Sequence, residues 1–459
     1  MRAGYRRVGP GRRPSRVHGP QSHLKEGSPL PTFTPEASAA LPGPAWLRDR
    51  RAVGYGAFAS TPLPSESEEV WRYTPIDHLV LDDFTPAPPD GTAPGPALDL
   101  LAALTAELGS TAGSVLVHNG HPGECVQADS GAFAFGGAGS VATSPELLGS
   151  VQQGGDALVR LNDAFHLDAV FVDVPAGIAV GEPILVVHWC DAAAAAIFPR
   201  TAVRAGEGAR VSVVEVFAGP NGCEQSLVVP VTEVAAAEGA SVSYVSLQVL
   251  PDAAWSIARL AARGGGASAL RTFTVGLGAS YDRIRADVSV DGKDAHSEIL
   301  SAYLGDGAQV HDIRTLQDHA APRTTSELLC QGAVAGSSRS VYSGLIRVHR
   351  GAVRSDARQT NHNLVLNEGA HADSVPNLDI LENDVKCSHA STVGPVDEDQ
   401  LYYIESRGVE PEVAEGLIVR GFFDAIIDRG PVPEVTALLG REVHDRLDTA
   451  LAGRVAAGA

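Results

Sequence analysis

The stretch "GASYDRIRADVSVDGKDAHSEILSAYLGDGAQVHDIRTLQ", residues 278–317, alternates apolar and polar residues in short runs separated by glycine-containing turns. Alternation with a period of two is the sequence pattern of β-strands. Comparable runs begin near residue 168, and neither a long helix nor a strand–helix rhythm interrupts them before residue 396. The pattern predicts a mainly β protein and argues against a doubly wound α/β fold.

Glycine–alanine steps recur between these runs, where a tight corner would place a small side chain inside. Three of the intervals between them, 31, 39 and 29 residues, are too uneven for a strict repeat but suit a coil of short strands. A β-sandwich would give similar alternation, so the pattern ranks a β-solenoid ahead of a sandwich. The glycines concerned are Gly208, Gly239, Gly278, Gly307, Gly351 and Gly369.

The composition suits a chain rich in turns and strands, with 49 glycines, 30 prolines and 5% aromatic residues in 459. The formal net charge is −20, although residues 1–28 carry seven Arg or Lys against one Glu. Because an acidic body repels phosphate groups, we expect no general nucleic-acid binding. The sequence has no run of eighteen apolar residues, so we also expect no membrane span.

The five cysteines are scattered and form no Cys-x-x-Cys pair. Their spacing argues against a disulfide framework and against a self-contained zinc finger. A reducing compartment suits such free thiols, so we expect a cytoplasmic protein. The cysteines are Cys125, Cys190, Cys223, Cys330 and Cys387.

Both ends of the chain differ from the β-rich middle. Residues 1–45 are rich in Pro, Gly, Ser and Arg and predict a disordered basic extension, followed by an N-terminal mixed or helical domain at 46–160. We expect the β-rich core at 161–396 and a C-terminal helical domain at 397–459. In the latter, Asp397 can cap a first helix, and Pro411 and Pro433 can open two more.

The second of these C-terminal helices has a broader apolar face than three short helices need. Such a face could dock onto another protein or pack on the chain's own β-rich core. The sequence leaves both alternatives open.

The segment "DVSVDGKDAHSE", residues 287–298, matches several ligand positions of an EF-hand calcium loop. An EF-hand needs a helix on each side, whereas the flanks here show strand-like alternation, so we interpret Asp291 and Gly292 as a turn. The sequence also contains no P-loop and no G-x-S-x-G elbow. Nucleotide or serine-nucleophile chemistry by this chain is therefore not expected.

Cys387 and His389 are the strongest candidates for metal ligands. In an extended strand, residues i and i+2 point to the same face, so the thiolate and the imidazole would project together. Both groups bind iron and zinc, but two ligands do not complete a tetrahedral site. Acidic neighbours, water or a second subunit would have to supply the others, or the pair is structural.

Several separated blocks resemble the SufB/SufD family of iron–sulfur cluster assembly proteins, and its SufD members more closely. The strongest is "RQTNHNLVL" (358–366) followed by "SVPNLDILENDVKCSHASTVGPVDEDQLYYIESRGV" (374–409). Further similar blocks are "PLPSESEEVWRYTPI" (62–76) and "LNDAFHLDAVFVDVPAGIAVGEPILVVH" (161–188). Ala390 is a small departure, because SufD members often have glycine after the histidine.

The resemblance implies a right-handed parallel β-helix core and a scaffold without an enzymatic site of its own. It implies that the core pairs with SufB and that the C-terminal helices dock the ATPase SufC, which supplies ATP hydrolysis. His389 and Cys387 would be candidate ligands of a nascent cluster shared with SufB. A reduced flavin in the complex and a homodimer of the free chain stay open. The implied SufC-docking residues are Tyr403, Arg407, Gly408 and Phe422.

Two other classes of function remain as alternatives. A β-helix enzyme acting on polysaccharides would need carboxylates clustered on one face of the solenoid. A stand-alone metal-binding protein would bind iron stoichiometrically through Cys387 and His389 without a partner.

Overall fold

The computed structural model describes residues 32–89, 92–128, 132–139, 145–152, 154–222 and 224–458, with side chains described through residue 452. The part of the predicted basic extension that precedes residue 32 lies outside these ranges.

The strands are β1 (Thr85–Pro86), β2 (Gly113–His118), β3 (His121–Pro122), β4 (Val126–Gln127), β5 (Ala134–Gly136), β6 (Val170–Val174), β7 (Ile184–Trp189), β8 (Ala195–Ile197), β9 (Arg200–Ala205), β10 (Arg210–Ala218), β11 (Ser226–Val228), β12 (Val231–Ala236), β13 (Ser241–Val249), β14 (Ala254–Gly264), β15 (Ala269–Gly276), β16 (Tyr281–Val290), β17 (His296–Gly305), β18 (Val310–His319), β19 (Thr325–Val334), β20 (Arg339–Val348), β21 (Asp356–Val365), β22 (His371–Ile380) and β23 (Lys386–Gly394). The helices are α1 (Pro35–Ala39), α2 (Ala45–Ala59), α3 (Gly95–Leu108), α4 (Ala157–Phe165), α5 (Glu398–Glu405), α6 (Pro411–Ile427) and α7 (Thr436–Gly458). Single 3-10 turns lie at Glu69–Trp71, Ile76–His78, Leu81–Asp83, Pro145–Leu147 and Pro433–Val435.

The core is a parallel β-solenoid of about eight turns, in which each complete coil contributes one strand to each of two sheets. We call the sheet that runs from β22 through β20, β18, β16, β14, β12 and β9 to β6 the first sheet. The second sheet runs from β23 through β21, β19, β17, β15, β13 and β10 to β7 and β2. The predicted mainly β fold with a parallel β-helix core is confirmed.

The strands of the solenoid alternate between an inner and an outer face, as their sequence pattern predicts. In β16, Ile284, Ala286 and Val288 lie in the buried core between the sheets, while Arg285 and Asp287 face outward and form an ion pair. Because parallel strands stack in register, each inner position continues as a column along the axis.

One corner of the coil recurs with a left-handed residue in successive turns. In the earlier coils it is a glycine, Gly208 and then Gly239, each with φ near 65°. In later coils the same corner is occupied by Asp294 and Arg323, with φ of 64° and 56°. These two side chains pair with each other across neighbouring coils, which helps to offset the cost of the conformation. Glycine is therefore not needed at this corner in every coil. The Gly–Ala spacing is irregular also because Gly278, Gly307 and Gly369 lie at the turns that lead from the second sheet back to the first.

The EF-hand-like segment is one of these corners. It connects strands β16 and β17, and the backbone N–H of Asp291 donates to the carbonyl of Gly264 in the preceding coil at 2.9 Å. The interpretation of Asp291 and Gly292 as a turn is confirmed, and the flanking elements are strands and not the helices that an EF-hand requires.

Helices cover the outer face of both sheets. Phe423 of α6 and Leu447 of α7 are fully buried against Phe273 and Leu300 of the second sheet. The apolar face of α6 thus packs on the chain's own solenoid, although Val413 and Leu417 remain 55% and 51% exposed. The sequence left open whether the apolar face of this helix docks onto another protein or packs on the β-rich core. Packing on the core explains the buried part of this face.

Residues 32–45 differ from the predicted disorder. Thr34 caps helix α1, its side chain accepting a hydrogen bond from the backbone N–H of Ala37. Phe33 is fully buried and packs edge-on against Phe165, with ring centroids 5.3 Å apart. The three prolines of this stretch favoured disorder, but burial of one aromatic side chain and a helix cap are enough to anchor it. The prediction of disorder was wrong for these residues.

The segment at residues 62–76 docks onto the first sheet. Trp71 is buried, and the guanidinium of Arg283 lies 3.7 Å from the centre of its ring. Asp312, in the next coil, forms ion pairs with both Arg283 and Arg314. The two arginines in turn donate to the carbonyls of Val70 and Arg72, each at 2.9 Å. We call Arg283, Asp312 and Arg314 the arginine clamp.

Candidate functional site

Cys387 and His389 lie on β23, in the last coil of the solenoid. The last coil consists of β22 and β23, and among the residues that the structure describes no strand pairs with their outer edges. The solenoid is therefore open at this end. We call the exposed end of the last coil, with the interior-facing side chains of β22 and β23, the open end.

Both side chains belong to inner columns of the second sheet. Cys387 pairs in register with Ala357, and His389 pairs with Gln359. Ala357 and Gln359 are buried inside the preceding coil at 0% and 1% exposure. Since parallel strands in register keep the same face, Cys387 and His389 lie on the face that continues the interior.

The two candidate ligands differ in environment. His389 is exposed, whereas Cys387 is half-buried and packs against the apolar cluster that contains Ile346 and Val348. Burial, with a smaller contribution from the Asp356 carboxylate, raises the pKa of the Cys387 thiol. A metal that binds here must therefore displace the thiol proton.

The acidic neighbours do not complete a metal site. Glu382 accepts hydrogen bonds from the backbone N–H groups of Gly351 and Asn383, and Asp384 pairs with Arg354 at 3.6 Å. Within the described ranges, no group of three or more His, Cys, Asp or Glu side chains could hold a metal ion. The remaining ligands would have to come from outside this part of the chain.

Hydrogen-bonded polar side chains line the interior of the solenoid at the open end, and the sequence-based predictions do not include them. Ser391 Oγ donates to Ser374 Oγ at 2.6 Å, and Ser374 Oγ donates to Asn361 Oδ1 at 2.8 Å. The alternation of asparagines at 361 and 363 is the sequence signal that could have indicated stacked polar side chains here. No local pattern could have identified the two serines, because they come from different strands.

The other histidines of the last coils lie away from this pair. His319 is buried and bonds Thr324 and Ser326 at 2.7 Å each, and burial lowers its pKa to about 4. His349 Nε2 lies 2.8 Å from Asp318 Oδ1, and His371 Nε2 lies 3.3 Å from Asp373 Oδ1. These contacts are ordinary polar interactions within the fold.

The predicted docking residues lie in the C-terminal helices. Asp397 caps α5, its side chain accepting from the backbone N–H of Gln400 at 2.9 Å. Tyr403 is 59% exposed, and Arg407 stacks on its ring at 4.9 Å and donates to its hydroxyl at 3.0 Å. Gly408 lies in the turn that follows the helix, with φ of 88°.

Phe422 is separate from that exposed pair. It lies on α6, is partly buried, and packs against Phe423 with ring centroids 5.3 Å apart. Helix α5 has no buried residue. Tyr403, Arg407 and Gly408 thus form an exposed patch, whereas Phe422 contributes mainly to packing.

Comparison with known proteins identifies the family. Residues 188–422 match the model of the SUF system FeS cluster assembly, SufBD core domain. No helix among the described residues is long and apolar enough to cross a membrane.

Curated relatives agree with that match. An iron–sulfur cluster assembly SufBD family protein of Mycobacterium leprae is 40% identical over 186 residues, covering 39% of this chain and 47% of the relative. The iron–sulfur cluster assembly protein SufD of Escherichia coli is 32% identical over 171 residues, covering 36% and 40%. SufD of Bacillus subtilis is 33% identical over 144 residues, covering 31% and 33%.

The matched region spans about half the length of the first of these relatives. The family match covers the solenoid from the end of β7 to β23, including its open end, and continues through α5 and most of α6. With these relatives, it shows that the chain belongs to the SufBD family of iron–sulfur cluster assembly proteins and is SufD-like within it.

Proposed function

We propose that this chain is a non-catalytic scaffold subunit of a cytoplasmic SufBCD complex. It pairs with SufB through the open end of the solenoid, and the nascent cluster forms between the two proteins. It docks the ATPase SufC through helices α5 and α6, and SufC supplies the ATP hydrolysis.

The observation that carries the proposal is an incomplete ligand pair at an open solenoid end. Cys387 and His389 continue the inner columns, yet no further coil in the part of the chain that the structure describes covers them. A second subunit seated on this end would meet both side chains and could provide the missing ligands.

The edges of the last coil also favour a partner. Unpaired strand edges are a hazard unless they are short, charged or covered. Here β22 and β23 have ten and nine residues, and Leu378, Leu381 and Val393 are 43%, 50% and 43% exposed nearby. A protein with a similar solenoid end could cover these apolar side chains and pair with these edges.

The test is co-purification with SufB and SufC followed by anaerobic cluster reconstitution. We expect His389→Ala to leave the three-subunit complex intact. We expect it to lower the cluster yield by about ten-fold or more, because the loss of a ligand weakens the binding of the cluster. The matched control is His371→Ala, which removes an exposed imidazole from the same coil but from the other sheet. An unchanged yield with His389→Ala would remove this residue from the ligand set.

The two alternative functions make different predictions. A stand-alone metal protein would bind iron stoichiometrically when purified alone, whereas we expect weak binding without SufB. A polysaccharide-active enzyme would need free paired carboxylates, but Asp287 and Asp312 on the outer face of the first sheet are each held between two arginines. The scaffold role is therefore favoured.

The flavin and the homodimer remain predictions. Absorbance of the purified three-subunit complex would reveal bound flavin, and sedimentation of the chain alone would reveal a dimer.

A further inference from the structure

A chain of hydrogen-bonded polar side chains, buried at its inner end, leads from the middle of the solenoid to the open end. Tyr303 on β17 donates its hydroxyl proton to Asn363 Oδ1 at 2.6 Å. Asn363 Nδ2 donates to Asn361 Oδ1 at 2.9 Å, and the same oxygen accepts from Ser374 Oγ at 2.8 Å. Ser391 Oγ then donates to Ser374 Oγ at 2.6 Å. We call these five residues the lumen ladder.

The side chains of the two central asparagines, Asn361 and Asn363, form hydrogen bonds with each other and with residues of neighbouring coils. Asn361 Nδ2 reaches Asn363 Oδ1 at 3.3 Å and the carbonyl of Cys330 at 3.4 Å. The asparagines are 0% and 2% exposed, and buried amides that lose a partner are costly. The inner part of the ladder is therefore bound into the interior, while Ser374 at its outer end is half-buried and Ser391 is exposed.

A glycine makes room for the inner end of the ladder. In the second sheet, Tyr303 pairs in register with Gly332, and Gly332 pairs with Asn363. A Cβ at Gly332 would lie 2.0 Å from Cζ of Tyr303. Because Gly332 has no side chain, the ring of Tyr303 can cross one coil and its hydroxyl can reach the next.

The outer end of the ladder joins the two strands of the last coil. Ser391 is on β23 and Ser374 is on β22, and these strands belong to different sheets. Among the described residues, the backbone of β23 pairs with β21 alone, so the serine bond ties β23 directly to a strand of the other sheet. Ser391 lies two residues from His389, on the same face of the strand.

We propose that the lumen ladder positions β23 and so holds His389 and Cys387 in the orientation that the partner subunit meets. Ser374, Asn361, Asn363 and Tyr303 act as positioning residues, because a ligand held in one orientation binds without an ordering cost. This inference rests on the proposed function, since the orientation matters only if these side chains are ligands.

The first test is hydrogen–deuterium exchange of residues 386–394 in the free full-length chain. Ser374→Ala removes the link between the two strands, whereas Ser374→Thr keeps a hydroxyl. We expect exchange in β23 to be roughly five-fold faster with Ser374→Ala, as for one lost hydrogen bond, and close to wild type with Ser374→Thr. Ser388→Ala, an exposed position on the opposite face of the same strand, is the control. Unchanged exchange with Ser374→Ala would overturn the proposal.

The second test is cluster yield in the reconstituted three-subunit complex. We expect Ser374→Ala to lower the yield by about ten-fold and Ser374→Thr to restore it. The double variant Ser374→Ala/His389→Ala should lose no more than His389→Ala alone, because the ladder acts through the ligand. If the two losses multiply, the ladder does not act through His389 and the proposal fails.

Failure of this inference and failure of the proposed function are distinguishable. If His389→Ala lowers the yield but Ser374→Ala does not, the ligand stands and the positioning role is overturned. If His389→Ala has no effect, the ligand role fails, and the positioning proposal fails with it.

Discussion

Glu215 shows how a charged side chain is kept inside the solenoid. It is fully buried, with His188 Nε2 at 2.9 Å and hydroxyl donors from Thr201 and Tyr244 at 2.6 and 2.5 Å. Burial by itself raises the pKa of this carboxyl, but the hydrogen bonds outweigh it and hold the pKa below its ordinary value. The ionised form is thus the one that the interior stabilises.

This depressed pKa predicts a pH-dependent contribution to stability. The ionised carboxylate stabilises the fold above the ordinary pKa of 4.5, and the contribution is lost as the pH falls below that value. At pH 7 we expect Glu215→Gln to lower the free energy of unfolding by about 2 kcal/mol, the range for buried bonds to a charged group. The difference from wild type should shrink below about pH 4.5.

Urea unfolding of both proteins between pH 7 and pH 3.5 measures that difference. Glu238→Gln, at an exposed corner, is the control and should match wild type at each pH. A difference in the free energy of unfolding between Glu215→Gln and wild type that stays constant over this pH range would show that the charge of Glu215 does not contribute to stability.

At the scale of elements, α5 is unusual because none of its residues is buried. Its N-terminus is nevertheless capped by Asp397, and Glu398 and Asp399 lie in its first turn, where the helix dipole favours acidic side chains. Local interactions therefore help to hold a helix whose aromatic side chains remain exposed. Such a helix is suited to contact another protein.

We expect Arg407→Glu to weaken SufC binding by ten-fold or more, because reversing a charge at the centre of an interface costs affinity at this order of magnitude. Arg407 stacks on Tyr403, so the change also removes the partner that holds this ring. Pull-down and titration of SufC with the purified chain measure the effect. Arg263→Glu makes the same charge change on an exposed part of the first sheet and should leave binding intact. Equal binding by both variants would place the SufC surface elsewhere.

At the scale of the whole molecule, the N-terminal segment and the solenoid are joined by buried charges. The Asp312 side chain has no exposed surface and is shared by Arg283 and Arg314. Both arginines also hold backbone carbonyls on either side of Trp71. The arginine clamp thereby attaches residues 70–72 to two successive coils.

Asp312→Asn should destabilise the protein by about 3 kcal/mol, because it leaves two buried guanidinium groups without their shared counter-charge. It should also make the segment around Trp71 more susceptible to limited proteolysis. Urea unfolding and peptide mapping measure the two effects. Asp294→Asn breaks an exposed ion pair in the same solenoid and is the control. Wild-type stability of Asp312→Asn would show that the clamp is not needed for docking.

Local structure follows the sequence-based predictions best where it depends on neighbouring residues. Asp397 caps α5 and Pro411 opens α6, as predicted, and alternation correctly favoured the solenoid over a sandwich. The prediction of disorder was wrong for residues 32–45, since the burial of Phe33 depends on Phe165 and Phe198, which are far away in the sequence. The site roles of Cys387 and His389 stay predictions.

The sequence by itself determined the strands, the helix caps and the shared face of Cys387 and His389, because these follow from local backbone geometry. Only the tertiary structure decided that this face lies at an open end, since that depends on which coil is last. It also decided the lumen ladder, in which Tyr303 and Asn363 meet across 60 residues and Ser374 and Ser391 across 17. Such contacts depend on the register of neighbouring coils, and coils of unequal length leave no fixed spacing in the sequence from which to predict it.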